Sequence, residues 1–232
     1  MKVRKHKEAF KIAFPYTIPV LAGYLMLGAG YGILMSNQNY SIIWVILSSI
    51  FIYAGSMQYV SVGLVASGFH PLNAALITLM VNARHLFYGV SMLSKFKGIG
   101  KKKWYLIHGL TDETFSILSG IKLAKDVDKG WVMFYITLLN HSYWILGSAL
   151  GNIVGSFLPF NTNGIDFVLT ALFLVIFIEQ LLSNKNHLPE TIGIASAVLC
   201  RLVFGPDIFL IPTMIMILIL VTVLKKPLER RS

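Results

Sequence analysis

The sequence predicts an all-α polytopic integral membrane protein, and three observations carry that prediction. Of the 232 residues, 56% are hydrophobic and only 13% charged, whereas soluble domains carry about 25% charged residues. The apolar residues gather into long runs; a membrane span takes about 20 of them, so the chain has room for about seven crossings, within a range of six to eight. The 20 Lys and Arg outnumber the 10 Asp and Glu, but they sit in the termini and loops. That is the distribution of a membrane protein obeying the positive-inside bias, not a basic face interleaved with aromatics for nucleic acid.

In chain order the runs are Phe14–Met35, Ile42–Ser67, Pro71–Leu93, Trp131–Gly155, Phe167–Leu182, Pro189–Phe204 and Ile208–Leu224. A weaker segment, Trp104–Gly120, contains Asp112 and Glu113. We read one transmembrane domain over 1–232, with 1–13 and 225–232 as terminal tails. The opening MKVRKHKEAFK resembles the basic region of a signal peptide. The apolar run behind it is too long for a signal core and lacks a small-x-small cleavage site, so it reads as a retained first span. Cys200 is the one cysteine, which excludes an internal disulfide and a cysteine metal cluster. No metal or other cofactor is expected. HExxH, GxSxG and GxxxxGK[ST] are absent, leaving zinc-protease, serine-hydrolase and P-loop ATPase readings without support.

Charge orients the chain. Lys2, Arg4, Lys5, Lys7 and Lys11 precede the first span, and Lys225, Lys226, Arg230 and Arg231 follow the last, so both termini are expected in the cytoplasm. Ser36–Ser41 and Ser156–Ile165 carry no Lys or Arg and suit the outside. Lys95, Lys97, Lys101, Lys102 and Lys103 also belong inside, which a single crossing by Ile42–Ser67 would forbid. Either Ile42–Ser67 turns back at Ala54–Gln58 as a re-entrant hairpin, or it crosses and Trp104–Gly120 returns the chain to the cytoplasm. The hairpin is the preferred expectation.

Two apolar runs are interrupted by polar clusters. Ala54-Gly55-Ser56-Met57-Gln58 lies near the middle of one and Asn82-Ala83-Arg84-His85 inside the other. Irregular backbone and ionisable groups survive at membrane depth only beside protein or water, and an intramembrane Arg is a functional-site hypothesis by default. If the helix breaks at Gly55–Gln58, the following half-helix presents N–H groups and a positive dipole end to a carboxylate; otherwise Gly55 and Ser56 serve close packing. Gly55, Ser56, Gln58, Asn82 and Arg84 are therefore the candidate substrate-binding residues. The Arg84 fork fits a carboxylate in two parallel bonds, or it balances Glu179 structurally. Thr111-Asp112-Glu113 reads either as a capped helix start or as acids that receive an ammonium group or a proton. Glu179, with Gln180, is the third coupling candidate or a snorkelling interfacial acid, and Arg201 reads as an interface anchor.

Gly147, Gly151 and Gly155 recur four apart, with Asn140 and His141 upstream. Such a stripe signals close helix contact and is assigned here to a partner subunit. Tyr24-Leu25-Met26-Leu27-Gly28-Ala29-Gly30-Tyr31-Gly32 is similar to Tyr143-Trp144-Ile145-Leu146-Gly147-Ser148-Ala149-Leu150-Gly151, and Phe51…Gln58 can be laid over Phe173…Gln180 with a three-residue shift. Either an internal duplication or chance likeness of glycine-rich spans explains this; transporters often contain such repeats.

The AGS-x-Q cluster, Asn-x-Arg-His, Thr-Asp-Glu and Gly164-Ile165-Asp166-Phe167, in that order and spacing, resemble the AzlC (azaleucine-resistance) family of branched-chain amino acid permeases. The resemblance runs from about Phe14 to Leu182 and fades in the last two spans. It implies the large subunit of a two-component exporter of valine, leucine, isoleucine and analogues in the bacterial cytoplasmic membrane. It also implies a small hydrophobic AzlD-type partner. The expected mechanism is a gradient-driven alternating-access carrier, not an enzyme. Two other classes stay open: a membrane-embedded enzyme using His108, Asp112 and Glu113 on a lipid-linked substrate, and a scaffold subunit whose glycine faces serve assembly.

Overall fold

The computed structural model describes residues 2–66, 70–121, 123–124, 127–157, 174, 177–178, 181–182, 187–205 and 209–223. The chain divides into two compact units, Met1–Ile165 and Asp166–Ser232. Every element among the described residues is helical. The first unit holds α1 (Lys2–Asn37), α2 (Ile42–Phe51), α3 (Gly55–Ala66), α4 (Pro71–Met92), α5 (Lys102–His108), α6 (Asp112–Gly120) and α7 (Lys129–Phe157). The second holds α8 (Leu188–Phe204) and α9 (Leu210–Val223), which pack together across Gly205, a glycine with φ of 78°. Arg201 there lies over the ring of Phe209 at 5.6 Å. The expected span Phe167–Leu182, the Gly164–Phe167 motif and the tail 225–232 fall wholly or almost wholly outside the described residues.

The first unit is organised by α1 against α7. The two run parallel and in register: Thr17 Oγ1 is 3.1 Å from Tyr143 Oη, and further along a Cβ on Gly147 would meet the Tyr24 carbonyl at 2.7 Å. A Cβ on Gly151 would run into the Ala29 carbonyl, and one on Gly155 would lie 3.1 Å from Ile33 Cα. From the other side, a Cβ on Gly28 would lie 3.0 Å from the Trp144 carbonyl, and one on Gly32 would run into the Ser148 carbonyl and Asn152 N. Gly147, Gly151 and Gly155 are thus covered by α1 of the same chain, which corrects their assignment to a partner subunit. The two repeat-like motifs are the two faces of this contact. The proposed overlay of Phe51…Gln58 on Phe173…Gln180 falls in part outside the described residues.

Residues 2–13 run into the first apolar segment as one helix. They are the opening turns of α1 despite Pro15 and Pro19 further in, because Ala9 and Ala13 bury against Met92, Phe96, Leu106, Leu118, Val132 and Ile136. His6 Nδ1 and Tyr135 Oη, 3.0 Å apart, fasten the same end.

Between α1 and α7 the chain makes two open hairpins and one long helix. α2 descends antiparallel to α7: Asn152 Nδ2 donates to the Tyr40 carbonyl at 3.2 Å, and nine residues later His141 reaches the Ser49 carbonyl at 3.1 Å. The chain turns at Ile52–Ala54, where Tyr53 takes φ of 40°. α3 then climbs, its Tyr59 hydroxyl donating to the Leu27 carbonyl at 2.6 Å. This is the re-entrant arrangement expected of Ile42–Ser67. α4 returns alongside, an unbroken helix through Asn82–His85, so the second polar cluster interrupts hydrophobicity but not the backbone. Trp104–Gly120 is not one helix but a second hairpin. α5 rises with α7 (Tyr105 Oη to His141 Nδ1, 2.9 Å), turns at Gly109–Thr111, and α6 descends, so that Lys95 Nζ reaches the Leu118 carbonyl at 3.1 Å. Arms of 10, 12, 7 and 9 residues are about 10–18 Å long, roughly half of a 30 Å hydrocarbon core. The hairpins enter from opposite ends and meet at mid-height.

Two predictions follow. Gly151→Ala drives a methyl into the α1 backbone and lowers the melting temperature by the equivalent of about 1–3 kcal/mol. Gly63→Ala, at an open position, leaves it unchanged or raises it, since Ala favours helix over Gly by about 1 kcal/mol; calorimetry of the two purified variants is the check. In a Cys200→Ser background, cysteines at Asn39 and Lys102 label from opposite faces of the membrane with an impermeant maleimide. Labelling of both from one face contradicts the paired hairpins.

Candidate functional site

Arg84 lies past the middle of α4, and two hairpin tips come to it. Its Nη1 is 3.0 Å from Asp112 Oδ2, and its Nη2 donates to Ser56 Oγ at 2.9 Å. Ser56 belongs to the first turn of α3 and Asp112 to the first turn of α6. The side chains of Arg84 and Asp112 remain 33% and 30% exposed, so the pair borders open space at a depth where lipid would not tolerate it. Asp112 Oδ1 is buried with no hydrogen-bond partner among the described residues. Among the described residues the acid beside Arg84 is Asp112; Glu179, the sequence candidate for that place, lies outside them.

Thr111-Asp112-Glu113 forms the capped helix start that the sequence offers. Thr111 Oγ1 accepts from the Thr114 N–H at 3.3 Å and caps α6, which frees the two acids of the first turn to point elsewhere. Glu113 Oε2 accepts from the Tyr24 hydroxyl at 2.7 Å, and that hydroxyl is 2.6 Å from Thr111 Oγ1. Thr111 and Thr114 hydroxyls are 3.0 Å apart, and Asn140 Nδ2 donates to Thr114 Oγ1 at 3.0 Å.

Two sequence candidates take other roles. Gln58 is fully buried. Its Oε1 accepts from Trp144 Nε1 at 2.9 Å and its Nε2 donates to Ser49 Oγ at 3.3 Å, so the side chain ties the two arms of the first hairpin to α7 and is committed there. A Cβ on Gly55 would stand 2.9 Å from the Trp144 ring; Gly55 admits that ring, and only its backbone, as the start of α3, belongs to the site. Asn82 is half-buried on α4, with its amide oxygen unpartnered among the described residues and its carbonyl 3.3 Å from His85 Nδ1.

The sequence reading missed the groups that hold the tips. His141 Nε2 donates to the Ser49 carbonyl, so its Nδ1 is the acceptor for Tyr105 Oη. His108 Nε2 donates to the Ile50 carbonyl at 3.0 Å. Two imidazoles from one side therefore satisfy the last carbonyls of α2, groups that a helix cannot satisfy itself. Tyr53 stacks on His141 with ring centroids 4.1 Å apart. Nothing local in sequence marks these pairings, although Asn140 and His141 stand out as polar residues in an apolar run.

Chemically, the arrangement offers a guanidinium, a hydroxyl and the N-terminal N–H groups of α3 on one side. On the other it offers a carboxylate with one oxygen unspent. That set is complementary in charge to a small zwitterion.

The family model described as AzlC protein matches residues 19–158, a stretch spanning the tips, Arg84 and the α7 glycines. The branched-chain amino acid transport protein AzlC of Bacillus subtilis is 53% identical over 96% of this chain and 87% of its own. An uncharacterized membrane protein of Haemophilus influenzae is 45% identical over 97% of this chain and 92% of its own. The inner membrane protein YgaZ of Escherichia coli is 27% identical over 86% and 82%. No solved structure matches. With the helical architecture and these relatives, the chain is an all-α membrane protein and belongs to the AzlC family.

Proposed function

We propose that this protein exports branched-chain amino acids across the bacterial cytoplasmic membrane as an alternating-access carrier, with both termini in the cytoplasm. The transport class rests on the likeness to the Bacillus protein. The observation that carries the substrate reading is the Arg84–Asp112 pair with Ser56, set where two opposed hairpins meet. The substrate carboxylate takes Arg84, Ser56 and the N–H groups opening α3. Its ammonium takes Asp112, whose Oδ1 is unspent. Each hairpin then shields the site from the face it enters by, so displacing one hairpin at a time opens the site to one face at a time. A methylene changes pocket affinity by only about 1–3 kcal/mol, so valine, leucine and isoleucine overlap as substrates. The small AzlD-type partner docks on a face other than Gly147, Gly151 and Gly155, which α1 occupies. An acid–base enzyme built on His108 is the weaker reading, because its Nε2 is engaged by the Ile50 carbonyl.

The test is stabilisation of the purified protein by leucine or valine. Arg84→Lys keeps the charge and loses the fork, weakening apparent affinity on the order of tenfold, about 1.4 kcal/mol. Arg84→Gln abolishes the ligand-dependent shift while the protein stays folded. Gln58→Ala behaves oppositely: it orphans the Trp144 indole N–H at a cost of about 1–3 kcal/mol, lowers the ligand-free melting temperature and keeps the shift. Parental stabilisation by leucine in Arg84→Gln places the carboxylate site elsewhere.

A further inference from the structure

A second acid stands one residue from the proposed substrate site and is not used by it. Glu113 is partly exposed on one side, and on the other it begins an unbroken row of hydroxyls: Tyr24, Thr111, Thr114, and then the Asn140 amide. Tyr24, Thr111, Thr114 and Asn140 are all at least nine-tenths buried, and Asn140 Oδ1 has no hydrogen-bond partner among the described residues.

Each hydroxyl has one proton to give. Thr111 gives its own to Thr114, which also accepts from Asn140 Nδ2. With Glu113 as a carboxylate, Tyr24 donates to it at 2.7 Å. With Glu113 as a carboxylic acid, the acid donates to Tyr24, and Tyr24 turns to donate to Thr111, 2.6 Å away. Buried donors left unsatisfied cost about 1–3 kcal/mol each; the Tyr24 and Thr111 hydroxyls have an acceptor in both states.

We propose that Glu113 is a proton-binding site, with the Tyr24 hydroxyl, which turns between Glu113 and Thr111, as the switch that lets it hold or lose a proton at membrane depth. This rests on the transport reading above, and makes the proton the species whose binding is linked to that of the amino acid. The step balances simply. One proton passes from hydronium to Glu113 Oε2, the Tyr24 hydroxyl rotates while keeping its own proton, and nothing is transferred along the row. The charged and titratable groups facing Glu113 are Asp112 beside it, Arg84 and Tyr88 from α4, Tyr24 from α1 and Tyr53 from the first hairpin tip. His108 and His141 lie behind Tyr53. A substrate ammonium arriving at Asp112 favours the ionised form of Glu113, so amino acid binding expels the proton, and substrate affinity rises with pH through the titration of Glu113.

The experiment measures leucine affinity of the full-length protein against pH, together with the carboxylic C=O stretch in infrared difference spectra after a pH jump without ligand. The parent shows affinity falling about tenfold per pH unit below a midpoint, as one linked proton requires, and a carboxylic band that titrates. Glu113→Gln loses both. Thr111→Val is close in shape and removes the acceptor to which Tyr24 turns only when Glu113 is protonated, while the cap it also loses is common to both states. Its midpoint moves down by about one unit, a loss of one hydrogen bond, which a purely structural threonine would not do. A carboxylic band that persists in Glu113→Gln, or an unmoved midpoint in Thr111→Val, overturns the proposal. Leucine binding that is independent of pH removes the link to substrate while leaving the carrier reading intact. A parent that titrates in the infrared yet binds no leucine, valine or isoleucine refutes the carrier reading and leaves the proton site standing.

Discussion

The close approach of α1 and α7 governs the rest of the first unit. In lipid, apolar side chains gain little by leaving the solvent, so helices associate through backbone proximity at small residues. Here five glycines on two helices interlock so tightly that a methyl on Gly32 or Gly151 meets a carbonyl. The pair is parallel, and that orientation constrains everything between. The chain that leaves the end of α1 must come back to the other end before α7 begins, which takes one net crossing. α4 supplies it. Every other helix in between must return to the side it started from, and the two half-depth hairpins are what that parity leaves.

Helix ends placed at mid-depth expose backbone groups that water cannot serve, and the polar residues of this chain gather where those ends are. His108 and His141 take the terminal carbonyls of α2. Thr111 caps α6, and Ser56 at the start of α3 receives Arg84. Tyr53 holds a left-handed backbone that costs a non-glycine residue roughly 1–2 kcal/mol, and its stacking on His141 and burial pin it there. Function is built into the same accounting. Two helices begin, and so present positive ends, where Arg84 and the acids also lie.

How much of this was legible in the sequence depends on which property each feature rests on. The first hairpin was readable because Lys95–Lys103 had to share a side with the N-terminus, and only a segment that turns back satisfies that parity. The second was not, since charge counting is blind to a second segment that returns to its own side, and Asp112 and Glu113 merely weakened the hydropathy of Trp104–Gly120. The α7 glycine stripe announced a close contact but not its occupant. Periodicity defines a face, and what covers it is a tertiary fact; the matching spacing of Gly28 and Gly32 was the available clue. Arg84, Asp112 and Ser56 were each singled out for depth or chemistry. That they touch depends on two tips ending at one height, which no local pattern encodes. Gln58 misled for the same reason: a polar side chain in an apolar run looks alike whether it waits for a ligand or, as here, is consumed by Trp144 and Ser49.

The Arg84–Asp112 pair also bears on why an empty carrier can move at all. A charge stripped of water costs several kcal/mol unless it is paired, so a site with a lone guanidinium could not close without substrate. In the structure the guanidinium and carboxylate satisfy one another at 3.0 Å. On the proposed function a zwitterionic amino acid inserts between them, and its carboxylate and ammonium replace the pair partner for partner. Net charge is then the same in the loaded and empty forms, and both can pass through an occluded state. Discrimination falls to the apolar wall around the aliphatic tail, while the obligation to present an α-amino acid falls to Arg84 and Asp112. Glu113 is exempt from that exchange: its own partner is the Tyr24 hydroxyl, so its charge can change without unpairing Arg84, and a second species can be counted at the same tip without competing for the first.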